Sequence, residues 1–252
     1  MLLPLDDVGD GPVVLLLHAG VADRRMYAQH LRPLADAGVR AIAVDLPGFG
    51  EARMPDEEDA PWADVIDTLD QLGVEQAALV GNSFGGAVAL RVAVVAPDRV
   101  SALVLVSAPG EGIKPSPQLA AVWDAEASAL DEGDVDGAVD AIVDGWTLPN
   151  APAELRELVA DMQRRAFETQ LAGPELPQGR DPLDGRLDEL ARVHAPTLIA
   201  VGEHDMPDFQ LAAEAFARVL PDARVETIAG AGHLAPLERP ERFRELVLSV
   251  VR

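Results

Sequence analysis

Short unbroken apolar runs alternate along the 252-residue chain with longer stretches in which apolar residues recur every three or four positions. Residues 13–17, Val-Val-Leu-Leu-Leu, form the first run and close on His18-Ala-Gly20. A run that short, built of branched residues and ended by a turn signal, predicts a strand buried on both faces. Residues 40–44, 76–80, 100–106, 196–201 and 224–228 repeat the pattern. The stretches between them read as helices. Over 24–37, Met26, Leu31, Leu34 and Ala35 fall at helical spacing and end at Gly38. Over 61–72, Trp62, Val65, Ile66, Leu69 and Leu72 share one face. Further helices are predicted over 86–96, stopped by Pro97, over 208–219 and over 240–251. Such regular alternation predicts an α/β fold, with a mostly parallel central sheet and helices on both of its faces.

The alternation fails at Pro109-Gly110. Residues 111–190 contain no convincing strand and predict helices near 117–131, 135–146 and 152–171. The expected organisation is therefore a core domain formed by 1–110 and 190–252, interrupted by a helical cap over 111–189 that lies across the strand ends. Ahead of residue 12 there is room for one strand at most, near 2–8.

Composition adds exclusions. Hydrophobic content of 48% with 25% charged residues suits a globular chain with a sizeable core. No apolar run approaches the roughly 18 to 20 residues that span a bilayer, and the first residues lack the basic and apolar regions of a secretory signal. Cysteine is absent, which excludes disulfides, thiolate catalysis and Cys-ligated zinc. A cytoplasmic location is the expectation. The 43 acidic residues against 20 basic ones give a net charge of −23, which repels phosphate backbones and anionic membranes. Neither a nucleic acid nor a membrane is an expected partner.

Gly81-Asn-Ser-Phe-Gly85 lies between the strand predicted at 76–80 and the helix at 86–96. A G-x-S-x-G pattern on a strand-to-helix turn is a nucleophile elbow, with Ser83 as the candidate nucleophile. The turn forces the serine into a strained backbone conformation, and glycines two residues either side remove the collisions that side chains would make. A serine needs a base and an acid to orient that base, and an elbow predicts them in the order Ser, acid, His. Asp205, in Val201-Gly-Glu-His-Asp205, and His233, in Gly230-Ala-Gly-His233, each follow a predicted strand and fall on the same sheet edge as Ser83. Asp208 and Glu203 are rival acids near the same loop. His204 is expected to point away from its neighbour Asp205, and His30 and His194 lie away from any strand end. Two backbone N–H groups should form an oxyanion hole, one from Phe84 and one from the His18-Ala-Gly20-Val21 loop. Gly20 is the first candidate and Val21 the second, with His18 bracing the loop.

With these elements in order, the chain resembles the α/β-hydrolase fold superfamily over residues 12–110 and 190–252. Leu-Leu-His18-Ala-Gly20, Asp45-Leu-Pro-Gly-Phe-Gly50, Gly81-Asn-Ser-Phe-Gly-Gly86, Gly202-Glu-His-Asp205 and Gly230-Ala-Gly-His233 carry the resemblance. The family usually shows His-Gly where this chain has His18-Ala19. Length and the run from His18 to Met26 look most like enol-lactonases and small-ester hydrolases. The resemblance implies hydrolysis of a small carboxylic ester or lactone through an acyl-enzyme, with no metal or organic cofactor. A serine at the elbow sets aside the aspartate-nucleophile branches. Carbon–carbon hydrolysis or a cofactor-free lyase reaction by the same triad, and a non-catalytic ligand receptor, are the competing readings. Substrate choice is expected to lie in the insertion, where Trp123, Trp146, Met162 and Phe167, with Val21 from the core, are candidate pocket residues; packing between helices is the alternative for the four in the insertion.

Overall fold

The computed structural model describes residues 2–55, 58–174, 176–177, 179–184 and 186–251. Strands β1 (Leu5–Val8), β2 (Val13–Leu17), β3 (Arg40–Val44), β4 (Ala77–Asn82), β5 (Val100–Val106), β6 (Thr197–Gly202) and β7 (Ala223–Ile228) form one sheet in the order β1-β3-β2-β4-β5-β6-β7. β1 runs antiparallel to β3, and all other neighbours are parallel. The helices are α1 (Ala28–Asp36), α2 (Pro61–Gln71), α3 (Phe84–Val95), α4 (Pro117–Asp131), α5 (Val135–Trp146), α6 (Ala153–Ala172), α7 (Pro207–Val219), α8 (Ala235–Glu238) and α9 (Pro240–Val251). Successive strand residues face opposite sides of the sheet, so the unbroken apolar runs feed two cores at once. From β2, Val14 and Leu16 join Leu34 of α1 and Phe243 of α9. Leu15 and Leu17 join Leu69 of α2, Val88 and Val92 of α3 and Phe216 of α7.

Several boundaries differ by a residue or two from the sequence expectation, and two elements differ in ways worth explaining. β4 continues past residue 80 because Gly81 and Asn82 still pair with Leu105 and Val106 of β5, which leaves Ser83 directly at the strand's end. The helix expected over 24–37 is divided, with a tight 3₁₀ turn at Arg24–Tyr27 before α1. Asp23 caps that turn: its carboxylate accepts the Arg25 N–H at 2.9 Å. The strand allowed near 2–8 is β1.

Between β5 and β6 the described residues form α4, α5 and α6, each within a residue or two of its expected bounds. Ser116 and Asp134 cap the first two by accepting the N–H groups of Leu119 and Gly137. α5 buries Val139, Ile142, Val143 and Trp146, a stripe at helical spacing in which each side chain contributes about 2 kcal/mol. α4 buries Leu119 alone and leaves Trp123 exposed.

Candidate active site

Ser83 sits where β4 turns into α3, with φ 52° and ψ −117°. That conformation costs a non-glycine residue about 1–3 kcal/mol and survives only where its surroundings hold it. Here the Ser83 N–H donates to the Val106 carbonyl at 2.8 Å, and the Gly85 N–H donates to the His18 carbonyl at 3.0 Å. A Cβ at Gly81 would lie 2.3 Å from the Gly85 carbonyl, and one at Gly85 would lie 2.1 Å from the Leu17 carbonyl oxygen. Both positions therefore exclude a side chain. The N-terminus of α3, with its partial positive charge, begins at the next residue.

His233 lies in the loop between β7 and α8, and Asp205 in the loop between β6 and α7. The His233 Nδ1 stands 3.1 and 3.2 Å from the two oxygens of the Asp205 carboxylate. Those oxygens only accept, so Nδ1 carries the proton and Nε2 is left as an acceptor. Asp205 is held in turn by the Met206 N–H at 2.8 Å. Trp146 and Phe209 press on the imidazole with ring centroids 4.4 and 4.3 Å away, which shields the pair from water. Asn82 ties the loop to the elbow: its Nδ2 donates to the carbonyls of Val106 at 3.0 Å and His233 at 3.1 Å.

The other titratable residues near the edge are engaged elsewhere. Asp208 accepts the Ser116 N–H at 2.7 Å, and Glu203 accepts the Gly230 N–H at 2.8 Å. The His204 side chain is exposed, as is His194. His30 is buried against the Pro236 carbonyl at 2.9 Å, and that burial pushes its pKa down to about 4.

The loop after β2 is braced as the sequence suggested. The His18 Nδ1 donates to the Ala19 carbonyl at 2.8 Å while its Nε2 accepts the Leu46 N–H at 2.9 Å, and burial holds this imidazole below its ordinary pKa. Farther along, the buried Asp45 carboxylate accepts the N–H groups of Arg24 and Glu51, each at 2.8 Å, and pairs with the Arg24 guanidinium. Gly50, at φ 54°, leaves room for that carboxylate, which a Cβ would meet at 2.3 Å. Among the described residues, the N–H groups of Gly20, Val21 and Phe84 have no acceptor in the chain.

Gly20, Val21, Ser83, Phe84 and His233 line one cavity of about 270 Å³ together with Pro109, Trp123, Glu126, Ile142, Trp146, Gln163 and Phe209. Of the residues expected either at a pocket or in helix packing, Phe167 is absent from this lining; it lies buried with Met162 in the core that also holds Val14 and Leu16 of β2. Met162 instead receives the Asp23 N–H on its sulfur at 3.4 Å. Asn82, Phe209, Glu126 and Gln163 had no motif to single them out. A second cavity of about 270 Å³ shares Phe84 and Pro109 with the first and contains Arg91, which is paired with Glu111 at 2.7 Å and with Asp181.

The sequence matches the alpha/beta hydrolase family over residues 14–246. This chain belongs to that family. Within this hydrolase family, it is similar to the 2-hydroxymuconate semialdehyde hydrolase of Pseudomonas putida, with 31% identity over 96% of this chain and 88% of that one. It is also similar to the carboxylesterase YbfK of Bacillus subtilis, at 29% identity over 95% and 80% of the two chains. Among solved structures, a thermophilic esterase from Thermogutta terrifontis superposes with a TM-score of 0.82 and 28% identity, over 98% of this hydrolase and 92% of the esterase. Its relatives in this family thus include esterases and a semialdehyde hydrolase. Among the described residues no helix is long and apolar enough to cross a membrane, and no acidic or histidine cluster suits a metal ion.

Proposed function

We propose that the chain hydrolyses small carboxylic esters or lactones through Ser83, His233 and Asp205, with 111–189 acting as a helical cap over the core formed by 1–110 and 190–252. The observation that carries this reading is the His233–Asp205 pair, 3.1 Å apart, whose imidazole shares a cavity with the strained Ser83. His233 Nε2 removes the Ser83 proton as Oγ attacks the carbonyl carbon, and Asp205 stabilises the imidazolium that forms. The carbonyl π-electrons move onto oxygen, where the N–H groups of Phe84 and Gly20 receive the charge; one such donor is worth about 3 kcal/mol in the transition state. Collapse breaks the acyl–oxygen bond, and the imidazolium protonates the departing alkoxide. Water, deprotonated by His233, then cleaves the acyl-enzyme and regenerates Ser83. Every step is supplied by the chain's own residues and water. A fluorophosphonate probe is expected to label Ser83, and Ser83→Ala to lose both labelling and ester turnover; labelling that persists in Ser83→Ala would overturn the assignment.

Carbon–carbon hydrolysis of a vinylogous diketone is the second reading, favoured by the 31% identity to the semialdehyde hydrolase. Product analysis separates the two. Faster turnover of such a diketone than of short-chain esters would select the second.

A further inference from the structure

We infer that Glu126 makes the cavity beside Ser83 a site for substrates that carry an ammonium group, and that it turns away substrates carrying a carboxylate there. The inference rests on the proposed role of Ser83 for its kinetic test, but not for its binding test. Glu126 projects from α4 into the cavity, three residues after Trp123 and so on the same helix face. Among the described lining residues there is no lysine or arginine. Glu126 itself makes no ion pair or hydrogen bond among the described residues, although it is half-buried.

This lack of a partner contrasts with other charges among the described residues. Arg91, across the wall formed by Phe84 and Pro109, is held by two carboxylates. Asp45 is buried with a guanidinium and two N–H donors. A carboxylate that loses water without gaining a partner is destabilised, so a cation entering the cavity recovers that free energy. A second feature points the same way. Gln163, 3% exposed on α6, lines the cavity with its Oε1 unpartnered and offers another acceptor. Trp123 and Trp146 add aromatic faces, which attract an alkylammonium group through their ring quadrupoles. The net charge of −23 raises the local concentration of cations and lowers that of anions. Apolar walls, a free carboxylate, a free amide oxygen and two indoles together fit an alkylammonium group.

The test uses matched esters in which a trimethylammonium group is replaced by tert-butyl, its uncharged isostere. One pair carries the group at the alcohol end and a second pair at the acyl end. The cationic ester is expected to exceed its isostere about tenfold in kcat/KM in at least one pair. That ratio should fall towards one in Glu126→Gln, whatever the absolute rates. A third ester with a carboxylate at that place should be the poorest wild-type substrate and should gain in Glu126→Gln. Ratios near one in both pairs, or a tenfold ratio that survives Glu126→Gln, would overturn the inference. Choline binding to Ser83→Ala, read by indole fluorescence against its tert-butyl isostere, does not depend on turnover. Tighter binding of choline, lost when Glu126→Gln is added, supports the cation site even if no ester is hydrolysed; equal binding of the two probes overturns it.

Discussion

The sheet edge and the inserted helices hold their residues by different means. At the edge the cross-ties run through the backbone. Ser83 is fixed by its N–H on Val106, the elbow by Gly85 on His18, and the His233 loop by its carbonyl on Asn82. A displacement at the end of β4 would break its ties to β5 and to the loops after β2 and β7. In the insertion, residues facing the cavity are placed by side-chain packing alone, as Ile142 and Trp146 are on the apolar stripe of α5. The two regions meet at several points: Arg25 donates to Asp161 at 2.6 Å, the Asp23 N–H reaches the Met162 sulfur, Asp208 accepts the Ser116 N–H, Arg91 pairs with Glu111 and Asp181, and Trp146 packs on His233. A rigid edge suits bond-breaking, which loses rate for small misplacements. A helical layer held by packing can change its lining while the edge stays intact.

The largest break in this contrast is expected at the edge. Asp205→Asn presents a carboxamide to His233 and disfavours the tautomer with a bare Nε2, so kcat on a short-chain ester should fall by roughly 10⁴. Asp208→Asn and Glu203→Gln, whose carboxylates accept other N–H groups, should each stay within about threefold of wild type, since neither group touches the imidazole. Steady-state kinetics on the three variants decides it. A wild-type rate for Asp205→Asn would move the acid to one of the other two.

In the insertion the expected effect is on stability. Phe167 is 3% exposed in the helical core, so Phe167→Ala should cost about 3–4 kcal/mol of unfolding free energy by denaturant titration, with no change in the ranking of acyl-chain lengths. Trp123, which lines the cavity at 47% exposure, should behave in the opposite way: Trp123→Ala costs under about 1 kcal/mol and reorders the esters. If Phe167→Ala reorders the substrates, the division between packing and lining residues fails.

The same contrast explains what was legible in the sequence. The elbow, the His18 loop and the two loops holding Asp205 and His233 each rest on a local backbone requirement, and such requirements leave short-range marks: glycine where a Cβ would collide, a strand before, a helix after. Helix bounds in the insertion were legible for a similar reason, because Ser116-Pro117 and Asp134 are local capping signals. Which face of those helices looks into the cavity depends on long-range packing and leaves no local mark. Phe167 read either as a pocket residue or as packing between helices, and it lies in the core. Nothing in the sequence sets Glu126 and Gln163 apart from other polar helix positions, yet both line the cavity. Asn82 was hidden differently. It stood inside the recognised pentapeptide, but its role depends on a carbonyl 151 positions further along the chain.

Asn82 gives a smaller effect than Asp205 and a sharp test of the cross-ties at the edge. Its Nδ2 serves the carbonyls of Val106 and His233, and the Val106 carbonyl also accepts the Ser83 N–H. In Asn82→Ala the Val106 carbonyl keeps the Ser83 N–H as donor, whereas the His233 carbonyl loses the Asn82 amide. A buried hydrogen bond of this kind is worth about 1 kcal/mol, and loss of its donor leaves the acceptor unpaired at somewhat greater cost. The chain should therefore fold, with a modest drop in Tm. The imidazole should meet Ser83 in its reactive geometry less often, so kcat and the rate of fluorophosphonate labelling should fall together by about tenfold. KM should hold, because Asn82 does not line the cavity. A rise in KM with kcat unchanged would make Asn82 a substrate contact and would break the view that the edge is held by its backbone.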